Sequence, residues 1–123
     1  MRWLLLAAVG VFATGCGPDC LSTCQRLHAD GVDAQGENQC NITIPGMEAA
    51  QLIRECASSC ERAMARAGTL DGYDPNKRTP PSEAQELRND RQAAAWMDCV
   101  AETSCENLGD GYCAPTSNYG SNQ

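Results

Sequence analysis

Aromatic side chains are scarce in this chain: one Phe, two Trp and three Tyr among 123 residues. Two of the six, Trp3 and Phe12, fall in an apolar N-terminal segment and would not join a folded core. Between Asp19 and Ala114 the large apolar residues come to six Leu, three Ile, two Val, three Met, one Trp and two Tyr. A core that small is not expected to hold one domain of this length by burial alone. Basic residues are also few, nine Lys and Arg against sixteen Asp and Glu, a balance that disfavours nucleic acid as a partner. Long hydrophobic runs are missing too. The longest, from Trp3 to Ala13, has eleven residues, whereas a helix needs about 20 to cross a membrane.

The chemistry-bearing motifs are absent in the same way. There is no Gly-x-Ser-x-Gly, no His-Glu-x-x-His and no phosphate-cradling glycine loop, so no enzymatic activity and no cofactor is expected. Cys-x2-Cys spacing, which a thioredoxin-like redox site or a typical zinc site would show, does not occur. His28 is the single histidine, and its place in the last turn of an expected helix suits the helix dipole or solubility better than general-base catalysis. Carboxylates and amides gather in "DGVDAQGEN" (Asp30 to Asn38) and "DGYDPN" (Asp71 to Asn76), but neither follows the EF-hand order of ligands; both read as solvated turns. Asn41 opens an Asn-Ile-Thr glycosylation sequon, which has no force in a bacterial protein.

What the chain does have is nine cysteines, an odd number. A disulfide framework would supply the stability the core lacks, and it implies an oxidising compartment. The N-terminus agrees with export. Arg2 precedes the apolar run, which ends in the small residues "ATG" before Cys16, the anatomy of a signal peptide over residues 1–15. Two processing readings cut between Gly15 and Cys16. Ordinary signal peptidase would accept Ala13 and Gly15, while "ATGC" also resembles a bacterial lipobox, in which Cys16 is acylated and becomes the first residue. Parity favours the lipobox, because lipid on Cys16 leaves eight cysteines for four disulfides. Residues 16–18 would then form a lipidated tether, and loss of Arg2 would leave a net charge of −8.

The body, residues 19–114, is read as an all-α, disulfide-stapled three-helix domain with a polar tail at 115–123. The first helix starts at Pro18 and Asp19 and stops at Asp30 and Gly31, with Cys20, Cys24 and Leu27 on one face. A polar connection, Val32 to Pro45, carries Cys40. The second helix, Met47 to Ala67, is closed by Gly68 and presents a stripe of Ile53, Cys56, Ala57, Cys60, Met64 and Ala67. A turn-rich linker leads to a third helix opening at Ser82, where Ser82 and Gln85 have capping-box spacing and Trp96, Cys99 and Val100 cluster near the end. An irregular end carries Cys105 and Cys113. Four-residue spacing advances about 6 Å along a helix and keeps both sulfurs on one side. Two antiparallel helices would therefore pair Cys20 with Cys60 and Cys24 with Cys56, a two-rung helical hairpin. Cys40, Cys99, Cys105 and Cys113 allow three connectivities; Cys40, lying where the third helix should finish, is expected to join the C-terminal group.

The lipobox, "CLSTC", "CASSC", "WMDCVAETSCENL" and "GYCAP" together resemble the small cysteine-rich helical lipoproteins common in myxobacteria and related bacteria. The resemblance covers nearly the whole chain and implies a cell-envelope location and this fold, with little about mechanism. It points to a non-enzymatic binding or structural module held on the membrane by lipid on Cys16, with an envelope protein or surface component as partner. Gly17, rather than an aspartate, follows Cys16 and favours the outer membrane by the enterobacterial sorting rule. The alternative is a secreted inhibitor or toxin-like effector that uses the stapled hairpin as a rigid binding face.

Overall fold

The structure is a computed structural model that describes residues 17–116. The segment expected to be a signal peptide and Cys16 lie outside them, as do residues 117–123. Among the described residues four helices follow in chain order, α1 (Cys20–His28), α2 (Ala49–Met64), α3 (Asp90–Glu102) and α4 (Cys105–Gly109), with a single 3-10 turn at Pro81–Glu83. Among the described residues there is no strand, only an isolated antiparallel bridge between Val32 and Asn38. No described helix is long and apolar enough to cross a membrane. The domain is therefore small, all-α and stapled by four disulfides.

Helix α1 is short, nine residues, and is fixed at both ends. Asp19 caps its start by accepting from Ser22 N at 2.7 Å, and Ser22 Oγ returns the bond by accepting from Asp19 N at 3.1 Å. Hydrogen bonding of the carboxyl to the Ser22 backbone first, and then to the Ser22 side chain, holds Asp19 below its usual range. At the far end the loop after α1 folds back over it. Cys40 N, Ile42 N and Asn41 N donate to the carbonyls of Arg26, Leu27 and Ala29, three groups near the helix end that would otherwise need other partners.

Helix α2 packs antiparallel to α1, and α3 covers both. The core is built around Trp96, which is fully buried and whose Nε1 donates to Pro115 O at 2.9 Å; Leu27, Leu52, Val100 and Leu108 are buried with it. Pro115, the first residue of the expected polar tail, is thus buried in the packed domain.

Three expectations need correction. The stripe on α2 is rotated at its end: Leu52, Ser59 and Ala63 enter the interior, whereas Met64 is 44% exposed and Ala67 is exposed. The helix stops at Met64 rather than Ala67, so the stripe does not continue to Ala67. The third helix begins at Asp90 rather than Ser82, because Ser82 sits in the 3-10 turn and the chain then runs extended, burying Leu87. Asn89 is the true cap, accepting from Gln92 N at 3.0 Å, and Asn89 Nδ2 also donates to Thr69 O at 2.8 Å. Gly68 makes room for that arrangement, since a Cβ there would lie 2.6 Å from Asn89 Cγ. Finally, the end read as irregular contains α4, capped by Ser104 on Asn107 N.

Candidate functional site

The residue on which lipid attachment was expected, Cys16, lies outside the described residues. Its neighbours Gly17 and Pro18 are exposed and lead directly into the Asp19 cap. One residue further on the chain is stapled. Cys20 bonds to Cys60 with Cα atoms 5.6 Å apart, and Cys24 bonds to Cys56 with Cα atoms 5.8 Å apart. Both rungs lie in the α1–α2 interface: Cys24 and Cys56 are fully buried, and Cys60 packs with its sulfur 3.9 Å from Met97 Sδ of α3. The hairpin is rigid because the four-residue steps on two antiparallel helices bring the sulfurs into register twice.

The remaining four cysteines join Cys40 to Cys105 and Cys99 to Cys113. The first ties the loop after α1 to the start of α4. The second closes a 14-residue separation and draws the C-terminal segment across the end of α3. Arg26 reinforces the same region in a way that no pattern in the sequence announced. Its Nε donates to Val100 O at 2.9 Å, one terminal nitrogen to Thr103 O at 2.6 Å and the other to Asn38 O at 3.0 Å. A cation at the end of α3 also suits the negative end of that helix's dipole. The guanidinium is thereby held by structure and not offered to a ligand.

His28 is fully buried, which corrects the solubility half of its reading as a residue placed for the helix dipole or for solubility. Its Nδ1 lies 2.8 Å from Ile42 O, so the loop that caps α1 also covers the ring. Burial pushes its pKa below the ordinary value, partly offset by the bond to Ile42. The carboxylates of the two acidic loops act locally: Asp33 Oδ1 accepts from Gln35 N and Glu37 N, and Asp74 Oδ1 accepts from Asn76 N. Among the described residues no group of three or more His, Cys, Asp or Glu could hold a metal ion.

Two of the open clefts among the described residues bear on function. One, about 270 Å³, is lined by residues of both charges, including Lys77, Glu83 and Arg88, and by Tyr73. Tyr73 donates to Ala114 O at 2.6 Å, and its burial, with Asp74 beside it, pushes the phenol pKa up. The other, about 480 Å³, runs from Gly17 and Pro18 past Thr23 and Arg26 to Val100. It adjoins the N-terminal end of the described residues, and its walls also carry the carboxylates of Asp33 and Glu37.

Compared with protein-family models, curated proteins and solved structures, the chain matches none.

Proposed function

We propose that this protein is a lipid-anchored, non-enzymatic binding or structural module of a bacterial cell envelope, held on the membrane through Cys16. The observation that carries the reading is the cysteine count. Eight of nine cysteines close four disulfides with one another, which leaves Cys16 as the one outside the framework. An exported protein with a free exposed thiol would be open to oxidation and to mispairing, whereas acylation removes the thiol from that chemistry. The lipobox-like "ATGC" after an apolar run supplies the signal for it. Multiple acyl chains bind a bilayer stably where one does so only marginally, so even an acidic domain would remain attached.

The stapled hairpin supports a role in recognition rather than turnover. Its two rungs hold α1 and α2 in one geometry, which lowers the ordering cost of binding a partner. That partner is an envelope protein or surface component, and Gly17 favours the outer membrane as the site. The test is fractionation of cells producing the native chain or a Cys16→Ser variant. The native protein is expected in the detergent-soluble membrane fraction and the variant outside it. Equal release of both from membranes would refute the anchor and favour a secreted binding module.

A further inference from the structure

Three helix ends meet where the chain enters the domain. Cys20–Cys60 brings the start of α1 to the end of α2, and Asp90 N donates to Arg66 O at 2.8 Å, bringing in the start of α3. This end carries three of the exposed large apolar residues, Leu21 at 51%, Met64 at 44% and Leu70 at 46% exposure. It also carries four arginines, Arg62, Arg66, Arg88 and Arg91, beside the carboxylates of Asp19, Glu61, Asp71, Glu86 and Asp90. Arg62 pairs with Glu86 and Arg88 with Asp71, while Arg66 and Arg91 are exposed and make no ion pair among the described residues. Asp33 and Glu37 also stand beside Gly17 and Pro18, so this end carries carboxylates as well, but its two unpaired arginines set it apart from the opposite end. The opposite end gathers Asp30, Glu48, Glu102, Glu106 and Asp110, and the guanidiniums there are held by backbone carbonyls, Arg26 by three and Arg78 by Asp110 O at 2.9 Å.

We infer that the tether end is a bilayer-docking face. Leu21, Met64 and Leu70 enter the interfacial region, and Arg66 and Arg91 meet lipid phosphates. The inference rests on the proposed anchoring through Cys16 and adds which surface meets the membrane. Two observations choose the bilayer as occupant. Only Gly17, Pro18 and Asp19 separate Cys16 from the first residue of α1, so the lipid-bearing residue lies within about 14 Å of Cys20 even at full extension. An anionic leaflet attracts the unpaired Arg66 and Arg91, which favours the same orientation. Exposed aliphatic side chains interleaved with arginine are also the composition that interfacial binding uses. The acidic end then points away from the membrane, and a protein partner would meet it there.

The test uses the full acylated protein on vesicles of phosphatidylethanolamine and phosphatidylglycerol containing mid-chain brominated lipid. Single tryptophans are introduced by Leu21→Trp, Met64→Trp, Leu70→Trp and, at the far end, Asn107→Trp; Trp96 is buried and gives a constant background. The first three are expected to lose emission and shift to the blue on brominated vesicles, and Asn107→Trp is expected to do neither. Adding Arg66→Glu and Arg91→Glu should reduce quenching at positions 21, 64 and 70 while flotation with the vesicles is unchanged. Flotation without quenching at any of the three positions would overturn the docking face and leave the anchor standing. Undiminished quenching in the double arginine variant would overturn the role given to the arginines. Failure of the unaltered protein to float would overturn the anchor and the docking face together.

Discussion

Replacing Cys24 and Cys56 by alanine removes the inner rung of the ladder and leaves the outer one, so the two staples can be weighed separately. A disulfide stabilises chiefly by restricting the unfolded chain, more for a larger loop. Standing alone, the Cys24–Cys56 bond closes a separation of 32 residues, which corresponds to about 3.7 kcal/mol. With Cys20–Cys60 intact, however, the ring it closes contains only residues 20–24 and 56–60, and its contribution falls to about 2.7 kcal/mol. The same holds for the outer rung with the inner one intact. Each single-rung variant is therefore expected to lose about 2.7 kcal/mol, and the variant lacking both about 6.5 kcal/mol, roughly 1 kcal/mol more than the two losses combined. A loss of about 6.5 kcal/mol would consume most or all of the stability of a domain this small. Urea unfolding of the oxidised full-length protein, analysed by linear extrapolation, supplies the three values. A double loss equal to or below the combined single losses would refute the nested-ring reasoning. Single losses under about 1 kcal/mol would show that the rungs do not carry the fold.

Three further outcomes follow from particular contacts. Arg26→Lys keeps the charge but cannot reach Val100 O, Thr103 O and Asn38 O together, and it is expected to cost about 2 to 3 kcal/mol in the same urea assay; a neutral result would show that the clamp is idle. Gly111 has φ +103°, and an added Cβ would lie 2.5 Å from Thr79 O, so Gly111→Ala should lose about 2 kcal/mol or more and free the Thr79 amide to exchange with solvent in hydrogen-exchange measurements. Burial holds the His28 pKa below its ordinary 6.5, so as pH falls the unfolded chain takes up this proton first. Its stabilisation is present in full above about pH 6.5 and declines below it toward the folded pKa, so the urea midpoint should drop between about pH 7 and pH 5 in the native protein. A His28→Leu variant should lack that part of the slope, whatever its absolute stability, and identical slopes would refute the assignment.

The ladder was legible because Cys-x3-Cys is a local pattern and helical geometry converts it directly into a pair of aligned sulfurs. The start of α3 was written in the sequence twice, once correctly. Ser82 and Gln85 have the spacing of a capping box, and so do Asn89 and Gln92. Tertiary partners decide between them: Gln92 Nε2 donates to Leu70 O, and Asn89 Nδ2 donates to Thr69 O. None of these partners can be read from a window around residue 82. Helix α4 was missed because five residues are too few for a period to register, although Ser104 and Asn107 mark its cap. The burial of His28 and the carbonyl clamp of Arg26 depend on loop segments 12 to 14 residues away and on the end of α3, and no spacing within α1 encodes them.

The most direct test of the central claim, an acylated Cys16 beside a closed framework of eight cysteines, is the intact non-reduced mass of the protein purified from membranes, followed by fragmentation of the N-terminal peptide. The expected result is a chain beginning at Cys16, carrying diacylglyceryl on its sulfur, with four disulfides and no alkylatable thiol until reductant is added. An unmodified Cys16 thiol, or a chain still carrying residues 1–15, would contradict it.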